Sequence, residues 1–380
     1  MKILQVGNLY SNTGGPALSM YLTMKGLEQN GVEVEAYCPQ PFEGEKFLAS
    51  DVIITMATKP RIPLGGYDYI TSAMKDLKSL GSFDIIHVQG GWADIYDKAA
   101  RYARKEGIPY IMTPRGGLYP QALKGSSWKK KLAMCLFFKK DYREAACVQC
   151  TCVEEYEHFR NLDFTTPVAV IPNSFETKGV TSIEVPLKEK TIFGYLGRLH
   201  PRKRVERLIN AFAENRELFE KCELKIIGAD VESYEQFLKA EVKRLELKNV
   251  TFTGFLTGDK KDKAIRSLSC LALPSDFENF GNVVIEALAR GVPVITSKGA
   301  PWQVVEDYAC GYWIDNDQKS ISQAMADFAR KSADDQRTMG VNGQRLVEEK
   351  FSVNVVGRQM KELYDWILGN CPKPEFVIID

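Results

Sequence analysis

The stretch Asp276-Phe-Glu-Asn-Phe-Gly-Asn-Val-Val-Ile-Glu-Ala-Leu-Ala-Arg-Gly-Val-Pro-Val-Ile295 decides the fold. A short apolar run before it, Cys270–Leu273, reads as a buried strand stopped by Pro274. Asn282 to Arg290 reads as a helix, with Gly281 or Asn282 near its N-cap and Gly291 just past its end. Pro293 forbids continuation, and Val294–Thr296 reads as the next parallel strand. This places Glu278 on a loop at the carboxyl end of a strand and Glu286 inside the following helix. Between them, N–H groups at the helix start lack intrahelical partners and carry partial positive charge, which suits a phosphate. Carboxylates accept hydrogen bonds from vicinal hydroxyls, as in ribose recognition by dinucleotide-binding folds. Taken singly, either glutamate reads more simply as a solvated acid. The string as a whole carries the ligand reading.

Working outward, 380 residues are enough for two domains of ordinary size. Lys+Arg 50 against Asp+Glu 49 leaves a net charge of +1, so no global field recruits nucleic acid. No run of about eighteen apolar residues marks a membrane span. Met1-Lys-Ile-Leu-Gln-Val6 passes straight into a strand, leaving no room for a signal peptide. Nine cysteines without disulfide-like spacing favour a reducing compartment. Cys147, Cys150 and Cys152 lie in or beside an apolar strand-like run, with no second Cys/His pair at zinc spacing, and read as structural thiols.

The pattern of the quoted stretch recurs in both halves. Ile3–Val6 reads as the first strand and Pro16 to Gln29 as an amphipathic helix ended by Gly31. Gly14 and Gly15 between them let backbone N–H groups approach a ligand at a helix start, although a plain tight turn fits as well. No G-x-G-x-x-G occurs, so the dinucleotide fingerprint is absent. Val32, Val34 and Ala36 alternate as a second strand, Val52–Thr55 reads as a third, and Met56 to Tyr67 as an irregular loop. Asp84-Ile-Ile-His-Val-Gln-Gly90 is another strand, in which His87 reads first as a packed neutral side chain. Pro109–Thr113 leads into Thr113-Pro-Arg-Gly-Gly117. In the second half, strand Ile192–Leu196 leads through Gly197-Arg-Leu-His-Pro-Arg-Lys203 into a helix from Val205 to Asn215.

Glu278-x7-Glu286 with Phe280-Gly281-Asn282, together with Gly197-Arg-Leu-x3-Lys203, resembles the donor-site signature of retaining family-4 glycosyltransferases. The resemblance covers the whole chain and is strongest from 192 to 306. It implies the α/β GT-B architecture: two Rossmann-like, doubly wound parallel-sheet domains facing across a cleft. The expected division is 1–180 for an acceptor-side domain and 181–352 for a nucleotide-sugar domain, with helix 353–370 crossing back onto the first. By resemblance, Arg198 and Lys203 hold the donor diphosphate, Glu278 binds the sugar hydroxyls and Glu286 the ribose. Phe280, Gly281 and Asn282 offer backbone contacts to sugar and phosphate, and Gly14 and Gly15 face the diphosphate and acceptor.

Departures from the family pattern fall in the first half. The string at 84–89 resembles D-(I/V)-(I/V)-H-x-H, with Gln89 in the second histidine's place, and Arg115 stands where members carry the histidine of T-x-H-G. Arginine cannot serve as a base near neutral pH but pairs bidentately with phosphate or carboxylate. His87 and Arg115 are therefore candidate acceptor or phosphate contacts. Val168–Ile171 and Pro172-Asn173 resemble the family's I-P-N-G, with Ser174 in the glycine's place. Arg204 replaces the glycine usual after Lys203, and His200 reads as a solvent-exposed loop residue.

Residues 124–140 carry six lysines, Trp128, Phe137 and Phe138, and no acid. Such a segment fits either an anionic membrane surface or a solvated lysine face over a core helix. The expected activity is metal-independent, retaining transfer from a nucleotide-diphosphate sugar to a saccharide or lipid-linked saccharide acceptor, with no cofactor. The expected location is the cytoplasm, at the inner face of the cell membrane where the segment engages it, in surface-polysaccharide assembly. A phosphorylase or epimerase on the same architecture, and a non-catalytic sugar-binding subunit, stay open as rival readings.

Overall fold

The computed structural model describes residues 1–10, 14–48, 51–64, 67–124, 138–181 and 184–379. The chain forms two units, Met1–Ser174 with Val353–Asp380, and Phe175–Ser352.

In the first unit the described strands are β1 (Lys2–Val6), β2 (Glu33–Cys38), β3 (Ile53–Met56), β4 (Ile62–Leu64), β5 (Tyr67–Tyr69), β6 (Ile85–Val88), β7 (Tyr110–Met112), β8 (Cys147–Cys150) and β9 (Val168–Val170). In the second they are β10 (Ile192–Leu196), β11 (Glu223–Ile227), β12 (Val250–Gly254), β13 (Cys270–Leu273), β14 (Val294–Ser297) and β15 (Gly311–Ile314). After the second unit the chain returns to the first as helix Val353–Ile367 and strand β16 (Val377–Ile378).

The first sheet has the order β16-β9-β8-β7-β6-β1-β2-β3, with all neighbours parallel except β16 on β9. Its strands are apolar on both faces: Leu4, Val6, Ile86 and Val88 enter one core, and Ile3, Ile85 and Ile111 the other. Burial on both faces is what a parallel sheet with helices on each side requires. Helix Val353–Ile367 crosses helix Gly15–Gln29 with almost no spacing. A Cβ on Gly26 would lie 2.5 Å from the Val353 carbonyl oxygen, and one on Gly357 2.3 Å from the Gly26 carbonyl. Glycine at both positions is what lets the backbones meet.

The second sheet runs β12-β11-β10-β13-β14-β15, parallel throughout. Strand order reverses between β10 and β13 here, and between β1 and β6 in the first unit. Open α/β sheets bind ligands outside the carboxyl ends of strands at such switch points.

Two expectations are corrected and one element is added. The supposed loop 56–67 contains most of an antiparallel pair, β4 and β5. The first crossing falls at 174/175 rather than 180/181, because Phe175 N–H donates to the Phe351 carbonyl (2.8 Å) and Phe175 pairs with Ser352. The chain end adds an edge strand, β16, for which the sequence carries no periodic signal. The basic stretch from 125 to 137, with Trp128 and Phe137, lies outside the described residues. Phe138 is buried against Trp92 (ring centroids 5.2 Å apart), so it belongs to the core rather than to a membrane-facing surface. Among the described residues no helix is long and apolar enough to cross a membrane.

Candidate active site

At the switch point of the second unit, β10 ends at Leu196, Gly197 and Arg198 follow it, and then a 3-10 turn, Pro201–Lys203. Gly228 permits this geometry: a Cβ there would sit 1.7 Å from the Gly197 carbonyl oxygen. The His200 side chain accepts from the Arg202 N–H (3.2 Å), so this histidine caps the turn. Arg204 takes the glycine position in left-handed backbone (φ 52°), a conformation that non-glycine residues rarely adopt.

The turn is tied to the loop after β13 at several points. Lys203 Nζ forms an ion pair with Glu278 Oε1, which also accepts from Ser275 Oγ (2.7 Å). Arg204 Nε donates to Asp276 (2.5 Å), and Asp276 N–H donates to the Arg202 carbonyl (2.9 Å). Asn316 Nδ2 donates to the other Asp276 oxygen (3.0 Å). Glu278 N–H donates to the Gly299 carbonyl (2.7 Å), fixing the loop from its other side. Lys203 is 9% exposed, so its charge is largely withdrawn from water and needs the Glu278 carboxylate. Arg198 differs: its side chain is exposed, and no ion pair or hydrogen bond engages its guanidinium among the described residues. The buried Tyr195 phenol, which donates to the Arg198 carbonyl (2.9 Å), feels the charges of both Glu278 and Arg198. Burial raises its pKa well above the ordinary value.

Gly281 (φ 81°) turns the chain into helix Asn282–Ala289, which has no side-chain hydrogen bond at its N-cap. Phe280 departs from expectation. Its ring packs on Trp302 (5.1 Å) and Phe351 (6.0 Å), and its carbonyl accepts from Trp302 Nε1 (2.5 Å). It anchors the loop through its ring, and the Trp302 bond uses one of the two lone pairs of its carbonyl oxygen. Glu286, inside the helix, is paired with Lys261 Nζ (2.5 Å) and makes no direct contact with Lys203, Glu278 or Arg198. Trp302, Lys261 and Asp276 are the supporting residues that sequence reasoning missed. Nothing in a polar lysine on helix Gly258–Arg266 marks it as the partner of a glutamate on another helix.

In the first unit, Gly14 (φ 73°) precedes helix Gly15–Gln29 without a side-chain cap, and a Cβ on it would meet nothing within 4 Å, so backbone conformation alone demands glycine. His87 is corrected. It is wholly buried, with Nδ1 against Tyr364 OH (2.7 Å) and Nε2 against Thr113 Oγ1 (2.7 Å), and cannot touch an acceptor. Burial, helped by the nearby Arg115 charge, pushes its pKa down to about 3.

Arg115 lies at φ 47° in the turn after β7, partly exposed. Its Nε donates to Gln89 Oε1 (3.0 Å), as does Nη2, while Nη1 donates to Asn173 Oδ1 (3.3 Å). The two departures from the family pattern, Gln89 and Arg115, are thus in contact. From there hydrogen bonds run through the core in one direction. Gln89 donates to Gln5 (2.7 Å) and Gln5 to Tyr364 (3.0 Å). With the His87 proton on Nε2, Tyr364 donates to His87, His87 to Thr113, and Thr113 to Gln149 (2.9 Å). Gln149 closes the chain on the Ile171 carbonyl (3.0 Å). Cys147 and Cys150 are buried thiols, and Cys152, at a helix N-cap, is a buried thiol in hydrogen-bond contact with Tyr119 OH (3.5 Å).

Comparison with known proteins accords with this layout. Residues 181–346 match the family described as glycosyl transferases group 1, and residues 14–174 match a glycosyl transferase 4-like domain. The capsular polysaccharide biosynthesis glycosyltransferase CapM of Staphylococcus aureus is 28% identical over 187 residues, 48% of each chain. The chain spans about half the length of the curated relatives it matches first. Sucrose-phosphate synthase from Thermosynechococcus elongatus shares the fold with a TM-score of 0.75 over 98% of this chain and 100% of that one, at 18% identity. HepE of Anabaena, solved in complex with UDP, has a TM-score of 0.74 over 96% and 100%, at 17% identity. With two parallel α/β units, each matched by its own model, the chain belongs to the group 1, family-4 glycosyltransferases of GT-B fold.

Proposed function

We propose that this protein is a retaining glycosyltransferase that moves a sugar from a nucleotide-diphosphate sugar to a saccharide or lipid-linked saccharide acceptor. One observation carries the reading: Lys203 and Glu278, from segments far apart in sequence, meet at the switch point of the second unit, where Arg198 follows the end of β10. On donor binding the pairs exchange partners. Sugar hydroxyls take Glu278, the ribose takes Glu286 from Lys261, and Arg198 with Lys203 turns to the diphosphate. Fixed cations then stabilise the charge that builds on the leaving nucleoside diphosphate, the electrostatic contribution that commonly dominates such steps. The acceptor hydroxyl attacks the face the leaving group departs from, and a donor phosphate oxygen takes its proton.

Two cations suffice to neutralise the leaving group, so turnover is expected to survive EDTA. The solved UDP complex of HepE supports a uridine donor, and the capsular role named for the Staphylococcus aureus relative supports surface-polysaccharide assembly. The basic, aromatic composition of 124–140 supports peripheral contact with anionic lipid at the cytoplasmic face, which co-sedimentation with phosphatidylserine vesicles tests. The decisive experiment is a panel of UDP-, GDP- and ADP-sugars scored by thermal shift, followed by assay of free nucleoside diphosphate with and without acceptor. NMR of the product anomer decides retention. Sugar 1-phosphate formed only on adding inorganic phosphate would replace the reading with a phosphorylase.

A further inference from the structure

Arg115 is a cation set into a largely neutral surround. Among the described residues no carboxylate pairs with it. The nearest acid by electrostatic effect, Glu155, spends its oxygens on the N–H of Gly116 (2.5 Å) and on the N–H and hydroxyl of Thr151 (2.7 and 2.9 Å). Arg115 is held by two amide oxygens, Gln89 Oε1 and Asn173 Oδ1. Amide oxygens orient a guanidinium without cancelling its charge. Glu155 acts on the guanidinium only through space, so an oxyanion bonding to Arg115 directly would add the ionic hydrogen bonds that the turn itself does not supply. Of the guanidinium N–H groups, Gln89 and Asn173 use three, leaving one on each terminal nitrogen for an incoming oxyanion.

The position is also held under tension. Arg115 is left-handed at φ 47°, followed by Gly116 at φ 77°, and strained non-glycine backbone persists where its surroundings over-determine it. Those surroundings are the Glu155 carboxylate under the turn and the one-way hydrogen-bond chain that starts at Gln89. That chain aims the Gln89 carbonyl oxygen at the guanidinium and leaves the amide little freedom to turn over.

We propose that Arg115, oriented by Gln89 and Asn173, is an oxyanion site on the first unit that selects acceptors carrying a carboxylate or phosphate group. The proposal rests on the glycosyltransferase reading only for the word acceptor. The donor cations proposed above, Arg198 and Lys203, belong to the second unit, whereas Arg115 belongs to the first.

The test titrates the full chain, saturated with UDP, against methyl β-D-glucuronide, its neutral analogue methyl β-D-glucoside, and glycerol 3-phosphate, by ligand-observed NMR. The wild type is expected to bind one of the charged probes about tenfold or more tighter than the glucoside. The tighter of the two identifies carboxylate or phosphate as the group selected. Arg115→Met should abolish the preference and leave UDP affinity within about twofold. Asn173→Asp supplies an internal counterion while keeping the arginine, and should abolish the preference even if the Met variant folds poorly. A wild type indifferent to charge overturns the proposal, as does a preference that survives both substitutions. Loss of UDP affinity in Arg115→Met with the glucuronide or phosphate preference intact also overturns it, by handing the cation to the donor. Absence of nucleotide-sugar turnover would sink the activity reading alone, because the charge preference is measured without turnover.

Discussion

The two switch points use charge in opposite ways. In the second unit the working groups are ionic and paired with each other: Lys203 with Glu278, Lys261 with Glu286. In the first, the core polar chain of Gln5, His87, Gln89, Thr113, Gln149 and Tyr364 is neutral, and a single cation stands at its end. Ion pairs such as these can trade a partner for a ligand, since each charge has a partner before and after. A buried chain of neutral hydrogen bonds cannot be traded, because every broken link strands a polar group away from water. The second unit is therefore built to exchange and the first to hold.

Breaking the exchangeable side should give the largest effect. Lys203→Ala is expected to slow transfer by about two to three orders of magnitude at saturating donor, read as release of nucleoside diphosphate, because a cation facing developing charge is lost. Turnover at the wild-type rate would remove Lys203 from the site. On the holding side, Gly357→Ala should cost about 3 kcal/mol of unfolding free energy in urea, since its Cβ has no room against Gly26 and the helix must shift. A neutral result there would mean that the crossing is loose.

The neutral chain predicts an acid sensitivity. His87 has a folded pKa of about 3 against an ordinary 6.5, so between those values the unfolded chain binds a proton that the folded chain refuses. Stability contributed by the neutral imidazole is present above pH 6.5 and falls as pH drops towards 3. Between pH 7 and 4.5 the loss is about 2.5 kcal/mol from this group. Asp141, raised to about 7 by burial, works in the opposite sense, so the comparison must be wild type against His87→Asn across the same range. Equal pH profiles would show that the imidazole protonates without penalty. Glu286→Ala should weaken donor affinity by about tenfold with smaller effect on the rate of transfer, checked by titration calorimetry with UDP. Smallest of all, Arg204→Gly exchanges relief of left-handed strain for the Asp276 contact and should move stability by less than about 1 kcal/mol. A loss above about 2 kcal/mol would show the Arg204–Asp276 link holding the two loops together.

Both sheets were readable because their strands are short apolar runs punctuated by glycine and proline, and Ile3–Val6, Ile85–Val88 and Cys270–Leu273 lie where that punctuation puts them. The edge elements were not. β4 and β5 sit among prolines and glycines that signal a loop, and β16 spans too few residues for any period. At the site, Glu278 and Lys203 could be picked out as types at a spacing, but not the ion pair between them. Gln89 and Arg115 stood out singly as departures, and only the register of β6 beside β7 brings them into contact. Lys261 and Trp302 gave no local sign, because their partners, Glu286 and Phe280, come from other elements. What pattern cannot carry is the tertiary pairing of groups that look ordinary alone.

The hydrogen bond from Phe175 to Phe351 and the bridge from Phe175 to Ser352 put the beginning and the end of the second unit side by side. That unit is therefore a cassette threaded into the first, a loop knotted at its own base. Its excision would bring no distant ends to be reconciled, and a short turn could rejoin residue 174 to 353 or close the cassette on itself. Evolution, or an engineer, could exchange such a module without disturbing the first unit's sheet.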